Sequence, residues 1–284
     1  MSFTKGDIVG RKSYGMDILF KIVEINESKQ TAVLKGLDMR LLADASLADL
    51  VRPEPAELLQ YRSSSDKAQK DCMRKIFRRR TLEREQLRGR SGRSPEEFFE
   101  LPGKILHLDG DEDYLDECLK AYRSLNLEAV GFFIPEKEQP EKIWGLLHEH
   151  RPDILVMTGH DAYIKSKKEF QSIKSYRNSG HFVSATRKAR QYEPGKDDLI
   201  IFAGACQSHY EAILAAGANF ASSPQRVLIH AMDPVFIVEK VAFTSINESV
   251  NIYEVIKHTI TGLDGIGGVE SRGKFRLGLP KSPY

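Results

Sequence analysis

From Leu101 onward, short apolar runs alternate with stretches of helical spacing, and this alternation restricts the chain more than any other feature. It predicts strands at Lys104–Leu108, Ala129–Ile134, Ile154–Thr158, Leu199–Phe202 and Val227–His230. It predicts helices at Asp111–Leu125, Pro140–His150, Ser179–Gln191, Ser208–Ala216, Pro234–Phe243 and Val250–Thr261. Apolar runs without polar alternation suit strands covered on both faces. Strand, helix and strand in series require crossover connections, so the fold class is α/β, a mostly parallel sheet with helices on both faces. The Gly-rich end, GLDGIGGVESRGKFRLGLP, reads as a loop and an edge strand.

The N-terminal part differs. Residues 1–52 carry short strand patterns at Asp7–Val9, Ile18–Ile25, Thr31–Leu37 and Met39–Ala43, punctuated by Gly6, Gly10, Gly15 and Gly36. Strands this short and close suggest a small SH3-like β-barrel. Residues 53–100 open with Pro53 and Pro55, run through Ser63–Ser65 and become rich in Lys and Arg. With few apolar residues, this stretch reads as a solvated, partly helical linker frayed by Gly89, Gly92 and Pro95. Residues 101–284 form the α/β domain.

Composition removes several function classes. The 284 residues hold 42 Lys and Arg against 40 Asp and Glu, a net charge of +2, so no nucleic-acid partner is expected. There is no apolar run of membrane-spanning length, and MSFTKGDIVG lacks a signal core. Synthesis in the cytoplasm, without a signal peptide or membrane partner, is expected. The three cysteines, Cys72, Cys118 and Cys206, are far apart, which argues against a disulfide framework or a zinc knuckle.

Two predicted strand ends carry chemistry. Asp198–Glu211 reads DLIIFAGACQSHYE: a buried strand, three small residues, then Cys206 and a predicted helix. Open α/β sheets place their sites at such carboxyl ends. A helix N-terminus aimed at the sulfur would favour thiolate. The other reading of Cys206 is a buried space-filler. Pro152–Tyr163 reads PDILVMTGHDAY and delivers His160 and Asp161 to the same edge. If these strands are neighbours, His160 faces Cys206, giving the thiol–imidazole pair of cysteine hydrolases. His209, in the following helix, is a possible auxiliary. His107 reads as a packed histidine. Asp109, Asp111 and Asp113 weakly suggest a phosphatase aspartate pair or a Mg²⁺ site, and turn and N-cap chemistry explains Asp109 and Asp111 as well.

A hydrophobic block ending in His, then one ending in Ala-Cys, resembles the caspase–hemoglobinase class of cysteine peptidases, which includes clostripain, gingipain and legumain. RKSYGMDILFKI, LPGKILHLDGDEDYL, RPDILVMTGHDAY, IIFAGACQSHYE, AGANFASSPQRVLIHAMDP and GIGGVESRG are similar to a family of sporulation-specific proteases within that class. The resemblance covers the chain except the basic stretch, where it is loose. It implies an endopeptidase of sporulating bacteria that acts on spore-coat or germination proteins. It also implies spore-coat association, a dyad of Cys206 and His160, and no cofactor or metal. The chain departs from the wider class at two places: Asp161 stands where Gly usually follows the His, and Gly204 where an acid usually precedes Ala-Cys. Backbone N–H groups of Asp161 and Cys206 are the expected oxyanion donors.

Peptidases of that class often prefer a charged P1 residue. With Gly204 unable to bind a basic one, Asp233 is the first candidate for the acidic pocket and Asp109 the second. Cleavage after Arg is expected. The chain's own basic stretch would then be a substrate, at Arg78, Arg79, Arg80, Arg88, Arg90 or Arg93. Two other readings stay open. One is an amidase or amidotransferase-like hydrolase that takes its base from His230 or His258. The other is a non-catalytic coat scaffold with Cys206 buried.

Overall fold

Period-two alternation builds the N-terminal sheet. In the computed structural model, which describes residues 3–91, 98–164 and 169–282 with the side chains of 86–91 excepted, β1 (Ile8–Arg11), β2 (Phe20–Asn26), β3 (Thr31–Gly36), β4 (Leu42–Ser46) and β5 (Leu50–Val51) pair antiparallel. Their order is β4-β3-β2-β1-β5. Val9, Phe20, Ile22, Ala32, Leu34, Ala45 and Leu50 form their shared core. The run Met39–Ala43 does not form one strand. β4 starts only at Leu42, because Asp38–Leu41 leaves the sheet and bridges to the C-terminal domain.

The basic stretch, expected to be a partly helical, frayed linker, is one continuous helix, α1 (Pro55–Ser91). At 37 residues it is roughly 55 Å long. It is held by few but strong contacts. Cys72 and Ile76 are buried in the main core. Arg80 is buried too, with Nε 2.6 Å from Glu239 and Nη1 donating to the Leu125 carbonyl at 2.8 Å. Its guanidinium lies 3.4 Å from the centre of the Phe243 ring. Arg79 donates to the same Glu239 at 2.6 Å. Arginine stems therefore dock a helix that lacks a continuous apolar face.

The remaining elements are β6 (Phe99–Leu101), β7 (Ile105–Asp109), α2 (Glu112–Ser124), β8 (Ala129–Phe133), α3 (Gln139–His150), β9 (Ile154–Thr158), α4 (Ser179–Tyr192), β10 (Ile200–Ala203), α5 (Tyr210–Ala215), β11 (Phe220–Ser222), α6 (Asp233–Phe243), β12 (Ser249–Val250), α7 (Ile252–Ile256), β13 (Ile266–Gly268), β14 (Ser271–Arg272) and β15 (Arg276–Gly278). The central sheet runs β13-β11-β10-β9-β7-β8, parallel except for β13. Its two faces are covered separately. Ile105, Val156, Phe202 and Phe220 pack against α2, α6 and the buried side of α1, while Leu106, Leu155 and Ile201 pack against α3, α4 and α5. This is the expected doubly covered α/β sheet. β12 pairs with β14, and β6 with β15, as small separate ribbons.

One strand is not where periodicity put it. Phe220–Ser222, not Val227–His230, pairs beside β10. Asn219 decides this register: its side chain accepts the Ile201 N–H at 2.9 Å and Arg190 Nη2 at 2.7 Å. Val227–His230 is not part of the central sheet, and His230 bridges to Met39 instead. Among the described residues, no helix is long and apolar enough to cross a membrane.

Glu239 is fully buried between two arginines. Glu239→Gln should lower the unfolding free energy by about 3–5 kcal/mol, because it leaves Arg80 buried without a counter-charge. Replacement of the exposed Arg74 by Ala should shift it by less than about 0.5 kcal/mol. Urea denaturation of the two variants checks the difference.

Candidate active site

Parallel pairing brings three strand ends together. β9 lies between β7 and β10, with Thr158 beside Asp109 and Ala203 beside Met157. The residues that follow these strands, Asp111, His160 and Cys206, therefore reach one edge.

His160 is fixed at every polar position but one. Its backbone N–H donates to Glu136 Oε1 at 2.6 Å, and its carbonyl accepts from Asn178 Nδ2 at 2.8 Å. Nε2 lies 2.9 Å from Asp111 Oδ2, while Nδ1 is buried without a partner. A carboxylate acceptor places the proton on Nε2 and leaves the lone pair of Nδ1 free to act as a base. Burial alone would raise the Asp111 carboxyl, but His160 and Lys35 outweigh it and hold it below the usual range. Lys35 Nζ, from the N-terminal sheet, is 3.1 Å from Asp111. Asp111 also caps α2 through the Tyr114 N–H, as expected of its position. Its hold on His160 was not anticipated.

Cys206 sits in a tight turn after β10. Gly204 has φ of +115° and Gln207 of +56°, and a Cβ on Gly204 would lie 3.2 Å from Ser222 Cβ. The thiol is fully buried, with the Ile229 N–H donating to Sγ at 3.2 Å. The expected helix N-terminus is not at the sulfur, because α5 begins only at Tyr210, capped by His209. Burial accordingly pushes the thiol up to about 12, against the opposing effects of the Ile229 hydrogen bond and the Arg40 charge. Among the described residues, no hydrogen bond joins Cys206 to His160, and the N–H groups of Cys206 and Asp161 have no partner. The Asp161 carboxylate is engaged elsewhere. It accepts from the N–H groups of Ala162 (2.8 Å) and Asn178 (2.7 Å), from Ser208 Oγ (2.9 Å) and from Ser179 Oγ.

The two acids expected in a P1 pocket differ. Asp233 is fully buried and accepts from the Ile260 N–H at 2.7 Å and from the N–H and hydroxyl of Thr261. Its carboxylate is spent on the chain's own backbone. Asp109 does hold an arginine, but an internal one: Arg40 Nη1 at 2.7 Å, with both side chains fully buried. Asp109 also accepts from Thr158 Oγ1 at 2.9 Å and from the Asp111 N–H at 3.0 Å.

Two of the competing histidines, His209 and His230, are engaged by the chain's own backbone. His209 accepts the Ala212 N–H through Nδ1, and its Nε2 lies 2.9 Å from the Gln171 carbonyl. It caps α5 and does not address Cys206. His230 Nδ1 accepts the Met232 N–H at 3.1 Å, so its proton is on Nε2 and no lone pair is free. His258 is buried beside the end of α7, and among the described residues its Nδ1 too has no partner. His107 is packed between Thr158 and Tyr122, as expected. In the expected self-cleavage window, Arg78 is exposed on α1, whereas Arg79 and Arg80 are locked onto Glu239. The side chains of Arg88 and Arg90, and all of Arg93, lie outside the described residues. Among the described residues, no group of three or more His, Cys, Asp or Glu is arranged to hold a metal ion.

The family model of YabG peptidase U57 matches residues 4–280. The sporulation-specific protease YabG of Bacillus subtilis (strain 168) is 43% identical over 286 residues, which cover 99% of this chain and 99% of that protein.

Burial would raise the Asp109 carboxyl, yet the Arg40 charge holds it well below the usual range. A depressed carboxylate stabilises the fold above its unfolded pKa of about 3.9, and that contribution disappears as pH falls through the folded value. Asp109→Asn should therefore cost about 3–5 kcal/mol at neutral pH. The gap to wild type should narrow below about pH 4. Denaturation curves at pH 7 and pH 3 measure both quantities.

Proposed function

The chain belongs to the YabG peptidase U57 family and is a peptidase, and we propose that it is a cysteine endopeptidase acting through Cys206, His160 and Asp111. One observation carries this reading. His160 is held by Asp111 through Nε2 and keeps a buried, unpartnered Nδ1, at the sheet edge that also bears Cys206. In the reaction, Cys206 Sγ attacks the peptide carbonyl and His160 Nδ1 takes the thiol proton. Asp111 stabilises the imidazolium that forms. The N–H groups of Cys206 and Asp161 receive the oxyanion. Collapse of the tetrahedral intermediate breaks the C–N bond, and the amine leaves with the proton from His160. Water, deprotonated by the same imidazole, then hydrolyses the thioester.

The sheet order fits the caspase–hemoglobinase architecture, and the N-terminal meander an SH3-like barrel. Substrates are spore-coat or germination proteins cut after Arg, and the enzyme associates with the coat. Asp109, rather than Asp233, anchors the P1 guanidinium, since Asp109 already binds one. Self-cleavage falls at Arg88, Arg90 or Arg93, beyond the part of α1 that Glu239 holds.

Cys206→Ala and His160→Ala should abolish cleavage of a spore-coat extract, and Asp111→Asn should lower kcat by roughly 10²–10⁴-fold. His230→Ala should retain activity within about tenfold of wild type, as expected of a group outside the machinery. Loss of activity in His230→Ala with survival in His160→Ala would favour the amidase-like arrangement. N-terminal sequencing of the purified chain should find a cut after Arg88, Arg90 or Arg93 in wild type and none in Cys206→Ala.

A further inference from the structure

The loop between β3 and β4 lies beside Cys206 in the manner of a bound peptide. Asp38, Met39 and Arg40 run antiparallel to Ile229–Ala231. Arg40 N–H donates to the Ile229 carbonyl at 3.1 Å, and Ala231 N–H donates to the Asp38 carbonyl at 2.7 Å, with Met39 opposite His230. The same Ile229 binds Cys206 Sγ through its N–H. The Arg40 side chain then turns into the sheet edge, fully buried, with Nη1 on Asp109 and Nη2 on the Ala231 carbonyl at 3.1 Å. The loop is held on its other side as well. Tyr114 Oη donates to the Met39 carbonyl at 2.7 Å, and Gly36 N–H donates to the Leu41 carbonyl at 2.9 Å. An extended backbone ladder combined with one deeply inserted side chain is how β-augmented peptides gain affinity and specificity.

We propose that Asp38-Met39-Arg40 is a resident substrate mimic: it fills the peptide-binding cleft with Arg40 in the P1 position and competes with substrate, so that at any moment only the fraction of enzyme with this loop withdrawn is active. The inference rests on the peptidase reading above and adds to it. The non-prime subsites are the Ile229 carbonyl and the Ala231 N–H, and the P1 pocket is closed by Asp109. Peptides with Arg at P1 compete with Arg40 for one site, so the accessible fraction of open enzyme scales their apparent affinity. Occupancy of the cleft by this loop also accounts for the full burial of a nucleophile that must meet substrate. Leu41 leads straight into β4, so the mimic stays tethered on both sides.

The test is the rate of Cys206 alkylation by iodoacetamide, read peptide by peptide in a mass spectrometer, with buried Cys72 as the internal monitor of unfolding. Arg40→Ala should raise alkylation at Cys206 roughly tenfold or more while Cys72 stays protected. Hydrolysis of a fluorogenic N-acetyl tripeptide amide with Arg at P1 should rise in parallel, and the counterpart with Ala at P1 should remain uncut. Because Arg40→Ala leaves Asp109 buried and unpaired, Arg40→Met combined with Asp109→Asn provides a charge-neutral second variant. It should expose Cys206 equally but fail to hydrolyse the Arg peptide. Unchanged Cys206 alkylation in both variants, or an equal rise at Cys72, would overturn the proposal. Exposure of Cys206 without hydrolysis of the Arg peptide by Arg40→Ala would overturn Arg40 as a P1 mimic and remove the Arg-directed Cys206 mechanism, leaving only a cover over the thiol.

Discussion

The buried pair of Arg40 and Asp109 is the contact on which the candidate site depends. Two opposite charges with no solvent exposure are tolerable only when their attraction and hydrogen bonds offset the lost hydration; here both Arg40 Nη atoms are engaged, Nε is not, and the pair ties the N-terminal sheet to the central one. Asp109 accepts from Arg40, Thr158 and the Asp111 backbone at once. It thereby fixes the turn from which Asp111 caps α2, and Asp111 in turn orients His160. A single ion pair thus links the docking of the N-terminal sheet to the tautomer of the candidate base. The link is electrostatic and short: each step is a hydrogen bond between neighbours at one sheet edge.

Glycines give the edge its shape. A side chain at Gly110 or Gly159 would collide with the Glu136 carboxylate, which accepts the His160 N–H. The two glycines end adjacent strands, and the space they leave admits the carboxylate that anchors the histidine backbone. On the opposite flank, Asp161 gathers the start of α4 and the turn after β10 through Ser179, Asn178 and Ser208. His160 and Cys206 therefore sit on segments locked by carboxylates, with rotation of their own side chains as the remaining freedom. The aspartate that follows His160 is a structural tie, and among the described residues its backbone N–H has no partner.

Much of this was legible in the sequence. Apolar runs ending in Thr-Gly-His-Asp and Ala-Gly-Ala-Cys were enough to place the ends of β9 and β10 on one sheet edge; that the two strands are neighbours was a condition, and the structure meets it. Asp111 was visible as an N-cap, but its second role depends on β7 being the other neighbour of β9, which one-dimensional periodicity does not specify. Val227–His230 has a strand's composition, yet Asn219 sets a register that hands the sheet position to Phe220–Ser222. The basic stretch was read as helical only in part and as solvated, because Arg79 and Arg80 dock it on a glutamate 159 and more residues away, a contact with no local trace. Arg40 is the extreme case. It looks like an ordinary surface cation between two strands, and only the fold brings Asp109 to it.

The central claim is that Cys206 is the nucleophile served by His160 in a cleft that takes arginine. A peptidyl-arginine chloromethyl ketone tests it most directly, because the guanidinium must seat before the thiolate can displace chloride. Tandem mass spectrometry of the inactivated protein should find one adduct, on Cys206, absent from His160→Ala and suppressed in Asp109→Asn. Alkylation centred on another residue, or Cys206 labelling indifferent to His160 and Asp109, would contradict it.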